Sequence, residues 1–299
     1  DADEELMPAS RDVVRACVRR PDAAGWYVLR QDLSRADRTD WYTEMWQLRL
    51  FRRDPRVQFV GRCHPDFRPS LSHHAAAVGM RVLGSEIRLR HWGYLAELKP
   101  AKLRRSARLL ALELADRPGQ LYYEIEYART LQALGEHDHA ARMLAIAVDH
   151  VLPHLGDPHP PSGVVEALLE WLIAMPASAR PPDRGLTDEF LARLASTWFR
   201  QSVPLLWAMA RKAFDAGDFA RARTMLAQLV RMGRDGTYSR FTSFDPRLLN
   251  EDAVLNLAVC HIRQAELDDA ESLLRSLLQT PRSREAQANL NVIAQLRAL

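Results

Sequence analysis

Three stretches of this chain repeat one helical pattern, and that pattern limits the fold more than any other feature. In LYYEIEYARTLQALGEHDHAARMLAIAV (121–148), Tyr127-Ala128 and Leu131 lead to a turn glycine, Gly135, and Ala140, Leu144 and Ala147 follow. VPLLWAMARKAFDAGDFARARTMLAQLV (203–230) carries the same pattern through Ala210, Ala213, Gly217, Ala222 and Leu226. EDAVLNLAVCHIRQAELDDAESLLRSLL (251–278) carries it through Ala258, Ala270 and Leu274, with Ala265 in the glycine's place. Small residues recur where paired helices approach closely, and larger apolar ones fill the groove between them.

This is the tetratricopeptide pattern, whose unit of about 34 residues is a helix–turn–helix that buries its apolar face by stacking on neighbours. The copies are unevenly spaced. VVEALLEWLIAM (164–175) and TDEFLARLASTWF (187–199) read as a degenerate helix pair (164–199) in the wider gap, bracketed by Pro-rich loops. SREAQANLNVIAQLRAL (283–299) reads as a terminal capping helix. The helical-repeat region is expected to cover 96–299.

Residues 1–95 have a different texture. PASRDVVRACVRR (8–20) reads as a helix, with Pro8 in its first turn and an apolar stripe of Val13, Val14, Cys17 and Val18. WYVLRQDL (26–33), WQLRLFRR (46–53) and EIRLRHWGY (86–94) read as strands. RVQFVGR (56–62) reads as the hairpin partner of 46–53 across Asp54-Pro55. His73-His74 lacks accompanying ligand spacing and reads as surface loop. The expected fold class is therefore α/β followed by all-α. One helix and about four strands leave much of a sheet uncovered.

Charge and cysteine content narrow the function classes. The net charge of +3 is too small to argue for nucleic acid, and no basic–aromatic module occurs. No run approaches the apolar length of a transmembrane helix, and the opening residues do not read as a signal peptide. Cys17, Cys63 and Cys260 are far apart, supporting neither a disulfide framework nor a zinc spacing, as expected of a cytoplasmic protein.

The chain opens Asp1-Ala2-Asp3-Glu4. In an extended segment Asp1 and Asp3 point the same way, forming a hard-oxygen pair suited to Mg²⁺ or Mn²⁺ carrying phosphates. The same tetrapeptide also reads as a solvated terminus. His91 shares a strand face with Ile87 and Leu89 and reads as a core or rim histidine.

Taken together, Asp1-Ala2-Asp3-Glu4, Arg49-Leu50-Phe51-Arg52, Gly61-Arg62-Cys63-His64 and His91-Trp92-Gly93-Tyr94, followed by the repeats, resemble a known arrangement. It is similar to the back half of a non-processive family-2 (GT-A-type) glycosyltransferase with C-terminal tetratricopeptide repeats. The resemblance implies that 1–95 is the C-terminal half of such a domain, preceded in the full enzyme by a nucleotide-binding half, so that activity of this chain alone is uncertain. It implies a divalent cation (Mg²⁺ or Mn²⁺) and a nucleotide-diphosphate sugar donor, with Asp1, Asp3 and His91 toward the metal. Arg49, Arg52 and His64 would line the phosphate or acceptor cleft. The general base is open between Asp66 and Glu44, because Pro65 stands where such enzymes commonly have an acid directly after the histidine. The repeats would hold a protein, peptide or glycan acceptor. The other reading is a non-catalytic protein-interaction module built on the repeats.

Overall fold

The computed structural model describes residues 3–93 and 99–298. These fall into two compact units, 1–154 and 155–299. Asp1 and Tyr94 lie outside the described residues.

The first unit holds a mixed four-stranded sheet in the order β1-β4-β2-β3. β1 (Glu4–Leu6) runs antiparallel to β4 (Arg81–His91), β4 parallel to β2 (Ala23–Leu33), and β2 antiparallel to β3 (Tyr42–Phe51). β2 is central and almost wholly buried, as its apolar run requires. α1 (Arg11–Val18) covers one face, where Val13, Val14 and Cys17 pack on Trp26, Val28 and Ile87. The Ser10 hydroxyl fixes the start of that helix by accepting from Arg88 N at 2.9 Å. α2 (Arg68–Ala77) covers the other face, with Leu71 and Ala75 against Ala24, Leu48 and Phe67.

A β-bulge decides which face the end of β3 serves. Tyr27 pairs with Leu48 and Trp26 with Leu50, so Arg49 is the extra residue. Beyond it Leu50 joins the α1 core and Phe51 the α2 core, whereas unbroken alternation would send them the other way.

Two sequence expectations fail here. Residues 56–62 form no strand with β3, whose partner is β2. The Asp54 carboxylate accepts from Arg56 N at 2.9 Å and turns the chain out of the sheet. Phe59 then packs on Phe67 with tilted rings 4.5 Å apart at their centroids, Ser70 bonds the backbone of Gln58, and Val60 makes an isolated bridge with Asp66. His73-His74 is helix α2 and not surface loop. His74 is buried with Nε2 3.6 Å from an Asp54 oxygen.

The rest of the chain is helical. α3 (Lys99–Asp116), α4 (Leu121–Ala133) and α5 (His137–Val151) complete the first unit. The second comprises α6 (Val165–Ala174), α7 (Asp188–Trp198), α8 (Val203–Asp215), α9 (Phe219–Asp235), α10 (Glu251–Arg263), α11 (Leu267–Ser276) and α12 (Ser283–Arg297). The pairs α4/α5, α8/α9 and α10/α11 are the three repeats. Each buries its two alanines completely or nearly so: Ala128 with Ala140, Ala210 with Ala222, Ala258 with Ala270. Leu144, Leu226 and Leu274 fill the corresponding groove positions. Ser202 and Asp218 cap α8 and α9, accepting from Leu205 N and Arg221 N at 3.1 Å. The tetratricopeptide-like pairing expected from the sequence is thus what the helices form.

Candidate functional site

The site lies where the ends of β1, β2 and β4 meet. Three of the residues come from alternation in the strands: Asp32 pairs with His91 across the parallel β2–β4 ladder, and Glu4 pairs with His91 across β1–β4. These side chains share the α1 face of the sheet.

His91 is buried and has a carboxylate on each ring nitrogen. Nδ1 is 2.7 Å from Asp32 Oδ1, and Nε2 is 3.2 Å from Asp3 Oδ2. A ring nitrogen that faces a carboxylate at such a distance needs a proton or a cation between the two, because two acceptors repel. Asp3 is the open member of the set, its side chain 45% exposed against 6% for His91. Burial pushes the Asp3 carboxyl pKa up, but its own backbone, His91 and Lys102 together hold it below the ordinary value. It is therefore held in its ionised form.

The absence of a side chain at Gly93 lets these groups close on its backbone. A β-carbon there would lie 2.3 Å from Asp3 Oδ2, 2.6 Å from His91 Nε2 and 3.1 Å from Lys102 Nζ. One carboxylate and one imidazole are ligand types that Mg²⁺ or Mn²⁺ accepts when a bound phosphate and water complete its shell.

Arginines surround the far side. Arg30 donates to Asp32 Oδ2 and to Gln47 Oε1, each at 2.8 Å. The bulge residue Arg49 donates through Nε and Nη2 to Glu4 Oε1 at 3.1 and 3.0 Å. Arg49 thus belongs to the cluster. Arg52 does not: it donates to the carbonyls of Ala23 at 2.8 Å and Arg20 at 2.5 Å, tying the end of α1 to β2.

His64 is held near this region by its loop. Gly61, at φ +113°, is the point where a side chain would collide with the Tyr123 hydroxyl, and Arg62 N donates to buried Glu113 at 2.7 Å. Desolvation lowers the His64 pKa; Glu126 opposes this, and Lys102 and Arg30 add to it. The neutral imidazole is therefore favoured among those cations.

The two base candidates fare less well. The Asp66 carboxylate accepts from Arg68 N, Nε and Nη2, each at 2.9 Å, at the start of α2. Burial raises its pKa, but those Arg68 bonds bring it below the ordinary value, which weakens it as a base. Glu44 pairs with Gln31, one residue out of phase with Asp32, and so belongs to the opposite face of the sheet.

Asp32, Arg30 and Lys102 were not singled out as site residues from sequence, and Gly93 only as part of the His91-Trp92-Gly93-Tyr94 motif. A signal existed for the first two: charges at i and i+2 in an otherwise apolar strand. Lys102 is one of only three lysines in an arginine-rich chain.

Two further clusters lie in the second unit. His261, Glu266 and Asp269 place ligand atoms within 4.8 Å of one another, but Arg223 already binds both Glu266 oxygens at 2.5 Å. A cleft of about 410 Å³ is lined by Glu166, Trp198, Phe199 and Ser202 among others. Buried Glu166 accepts there from the Thr242 hydroxyl at 2.6 Å. Among the described residues no helix is long and apolar enough to cross a membrane.

No family model and no curated protein matches the chain. Among solved structures, a chain of the crystal structure of the APC/C hetero-tetramer Cut9-Hcn1 matches over 67% of this chain at 16% identity, with a TM-score of 0.41. This chain spans 34% of that chain's length. The repeat assignment rests on the helix pairs described above.

Proposed function

We propose that the first unit carries the metal and diphosphate corner of a glycosyl-transfer site for a nucleotide-diphosphate sugar. The helical pairs would supply a surface for a protein, peptide or glycan partner. The observation that carries this reading is the approach of His91 Nε2 to Asp3 Oδ2 at 3.2 Å across 88 positions of sequence, beside a glycine where a β-carbon would collide with both.

When bound, a divalent cation would neutralise charge growing on the diphosphate leaving group. The chain's own residues prepare for that. Asp3 supplies an ionised carboxylate at the rim. Asp32 fixes the tautomer and ring orientation of His91, so that Nε2 offers its lone pair outward. Arg30 in turn holds Asp32, and Glu4 and Arg49 neutralise one another beside them. The reading assigns no general base.

The test is Mn²⁺-dependent binding of UDP, GDP and inorganic pyrophosphate. Binding that requires Mn²⁺ and disappears in Asp3→Ala supports the site; equal binding without Mn²⁺ or in that variant contradicts it.

The second reading is a non-catalytic protein-interaction module. It is favoured by the pairs α8/α9 and α10/α11 of the second unit, which stack through α9 and α10 and bury the same alanines, since stacked pairs of this kind bind extended peptides. A chain that takes up no Mn²⁺ and no diphosphate leaves this reading in place.

A further inference from the structure

We propose that the cleft of the second unit, between the end of α7 and the segment after α9, is a binding site for a free α-amino acid with an apolar side chain. Glu166 takes the ammonium, Arg200 the carboxylate, and Trp198 and Phe199 the side chain. The site draws on no residue of the Asp3–His91 cluster, so it is independent of either reading given above.

Two loops tied together build this cleft. α7 ends at Trp198, whose indole Nε1 donates to the Asp157 carbonyl at 3.0 Å and fixes the ring. The chain then turns, with Ser202 N donating to the Phe199 carbonyl at 3.0 Å, and Ser202 caps α8. Ser239 N donates to the Gln201 carbonyl at 2.8 Å, which holds the segment after α9 against that turn. Glu166 enters from α6 as the buried member, 5% exposed. The cleft of about 410 Å³ falls in the size range of small-molecule sites, roughly 300–1,000 Å³.

Glu166 is incompletely satisfied. The Thr242 hydroxyl donates to Oε2 at 2.6 Å, whereas Oε1 is buried with no hydrogen-bond partner among the described residues. Burial raises the carboxyl pKa, and the bonds from Ser202 and Thr242 offset only part of that rise. A buried acceptor left without a donor is destabilising, and a ligand that brings a donor removes the penalty. An ammonium does so best, because it offsets the charge as well as the lone pair, and the faces of neighbouring aromatic rings attract a cation. Arg200 acts in the opposite sense. It is exposed, lines the same cleft and has no carboxylate partner among the described residues. A ligand that was only a cation would be repelled by it, whereas one carrying a carboxylate beside its ammonium uses both charges. Trp198 and Phe199, each half-buried, offer apolar surface to the side chain.

The experiment titrates the 299-residue chain calorimetrically with three probes. These are phenylalanine, phenylalaninamide, which lacks the carboxylate, and N-acetylphenylalanine, which lacks the ammonium. Phenylalanine should bind more tightly than either derivative. Glu166→Gln, which keeps the shape of the side chain, should weaken phenylalanine about tenfold or more, the worth of one charge-assisted hydrogen bond, and leave N-acetylphenylalanine unchanged. Arg200→Ala should weaken phenylalanine about two- to fivefold, as for an exposed pair, and leave phenylalaninamide unchanged. Thermal melts establish that each variant is folded, and the comparison of the three probes on wild type needs neither variant. No binding of phenylalanine by the wild-type chain overturns the proposal outright, as does binding indifferent to both substitutions. Phenylalaninamide bound as tightly as phenylalanine would make the occupant a peptide amino terminus, and N-acetylphenylalanine bound as tightly a peptide carboxyl terminus. Either result overturns the free amino acid.

Discussion

Asp32 Oδ1 lies 2.7 Å from His91 Nδ1, and the two residues face each other in register across the parallel pair β2–β4. In the proposed metal site it keeps the proton on Nδ1 and leaves Nε2 for the cation. Asp32→Asn should reverse it, because an amide can donate to Nδ1 and leave the proton on Nε2. Mn²⁺ affinity should fall by about 10–100-fold, the usual cost of losing such an orienting partner. A Mn²⁺ titration checks this, and unchanged affinity in a folded variant counts against the orienting role.

The repeat turns predict a pair of stability changes with opposite signs. Gly135, Gly217 and Ala265 occupy corresponding turns at φ +83°, +78° and +61°. A β-carbon in the left-handed region costs about 1–2 kcal/mol, so Ala265 carries a strain that the glycines avoid. Ala265→Gly should raise stability by about 1 kcal/mol and Gly217→Ala should lower it by about 1 kcal/mol. Urea midpoints of the two variants should move in opposite directions.

Glu166 predicts a pH slope. Burial raises its carboxyl pKa above the ordinary 4.5, and hydrogen bonds from Ser202 and Thr242 offset only part of that. As pH rises through 4.5 the unfolded chain releases this proton before the folded one does. The folded state then binds more protons, so stability falls until Glu166 ionises in the folded state. Glu166→Gln removes this contribution. The difference in stability between variant and wild type should therefore change in the variant's favour between pH 4 and neutrality, and a constant difference would contradict the assignment.

The three cysteines should be silent in the native protein. All are free and buried, and desolvation pushes the Cys260 thiol up to about 11, with Cys17 and Cys63 raised in the same direction. A thiol-reactive dye at mild alkaline pH should label none of them before unfolding and all three afterwards. Rapid native labelling of Cys260 would show that α10 opens locally.

How legible the fold was depended on how local its determinants are. The repeat pairs could be read because Ala128/Ala140 and its two counterparts meet within one helix–turn–helix. Helix α2 could not, since His73, His74 and three alanines carry little amphipathic pattern, and its burial depends on distant Ala24 and Leu48. The site shows the same division. Asp3 and His91 stand out as acid and histidine in a recognisable order, whereas Asp32 acquires its role only through the β2–β4 register, and Arg49 only through a bulge. Lys102 joins them from a helix that sequence reading assigns to the repeat region. Segment 56–62 shows the converse error, in which a plausible strand pattern yielded to an Asp54 turn and an aromatic contact.

The central claim is that His91 and Asp3 hold one divalent cation. Electron spin-echo modulation of the Mn²⁺-loaded chain tests it most directly, because it detects a nitrogen nucleus coordinated to the metal. The account predicts ¹⁴N modulation from a single imidazole in the wild type, absent in His91→Ala, and no tight Mn²⁺ binding in Asp3→Ala. Mn²⁺ bound without nitrogen modulation, or with modulation that survives His91→Ala, would contradict it.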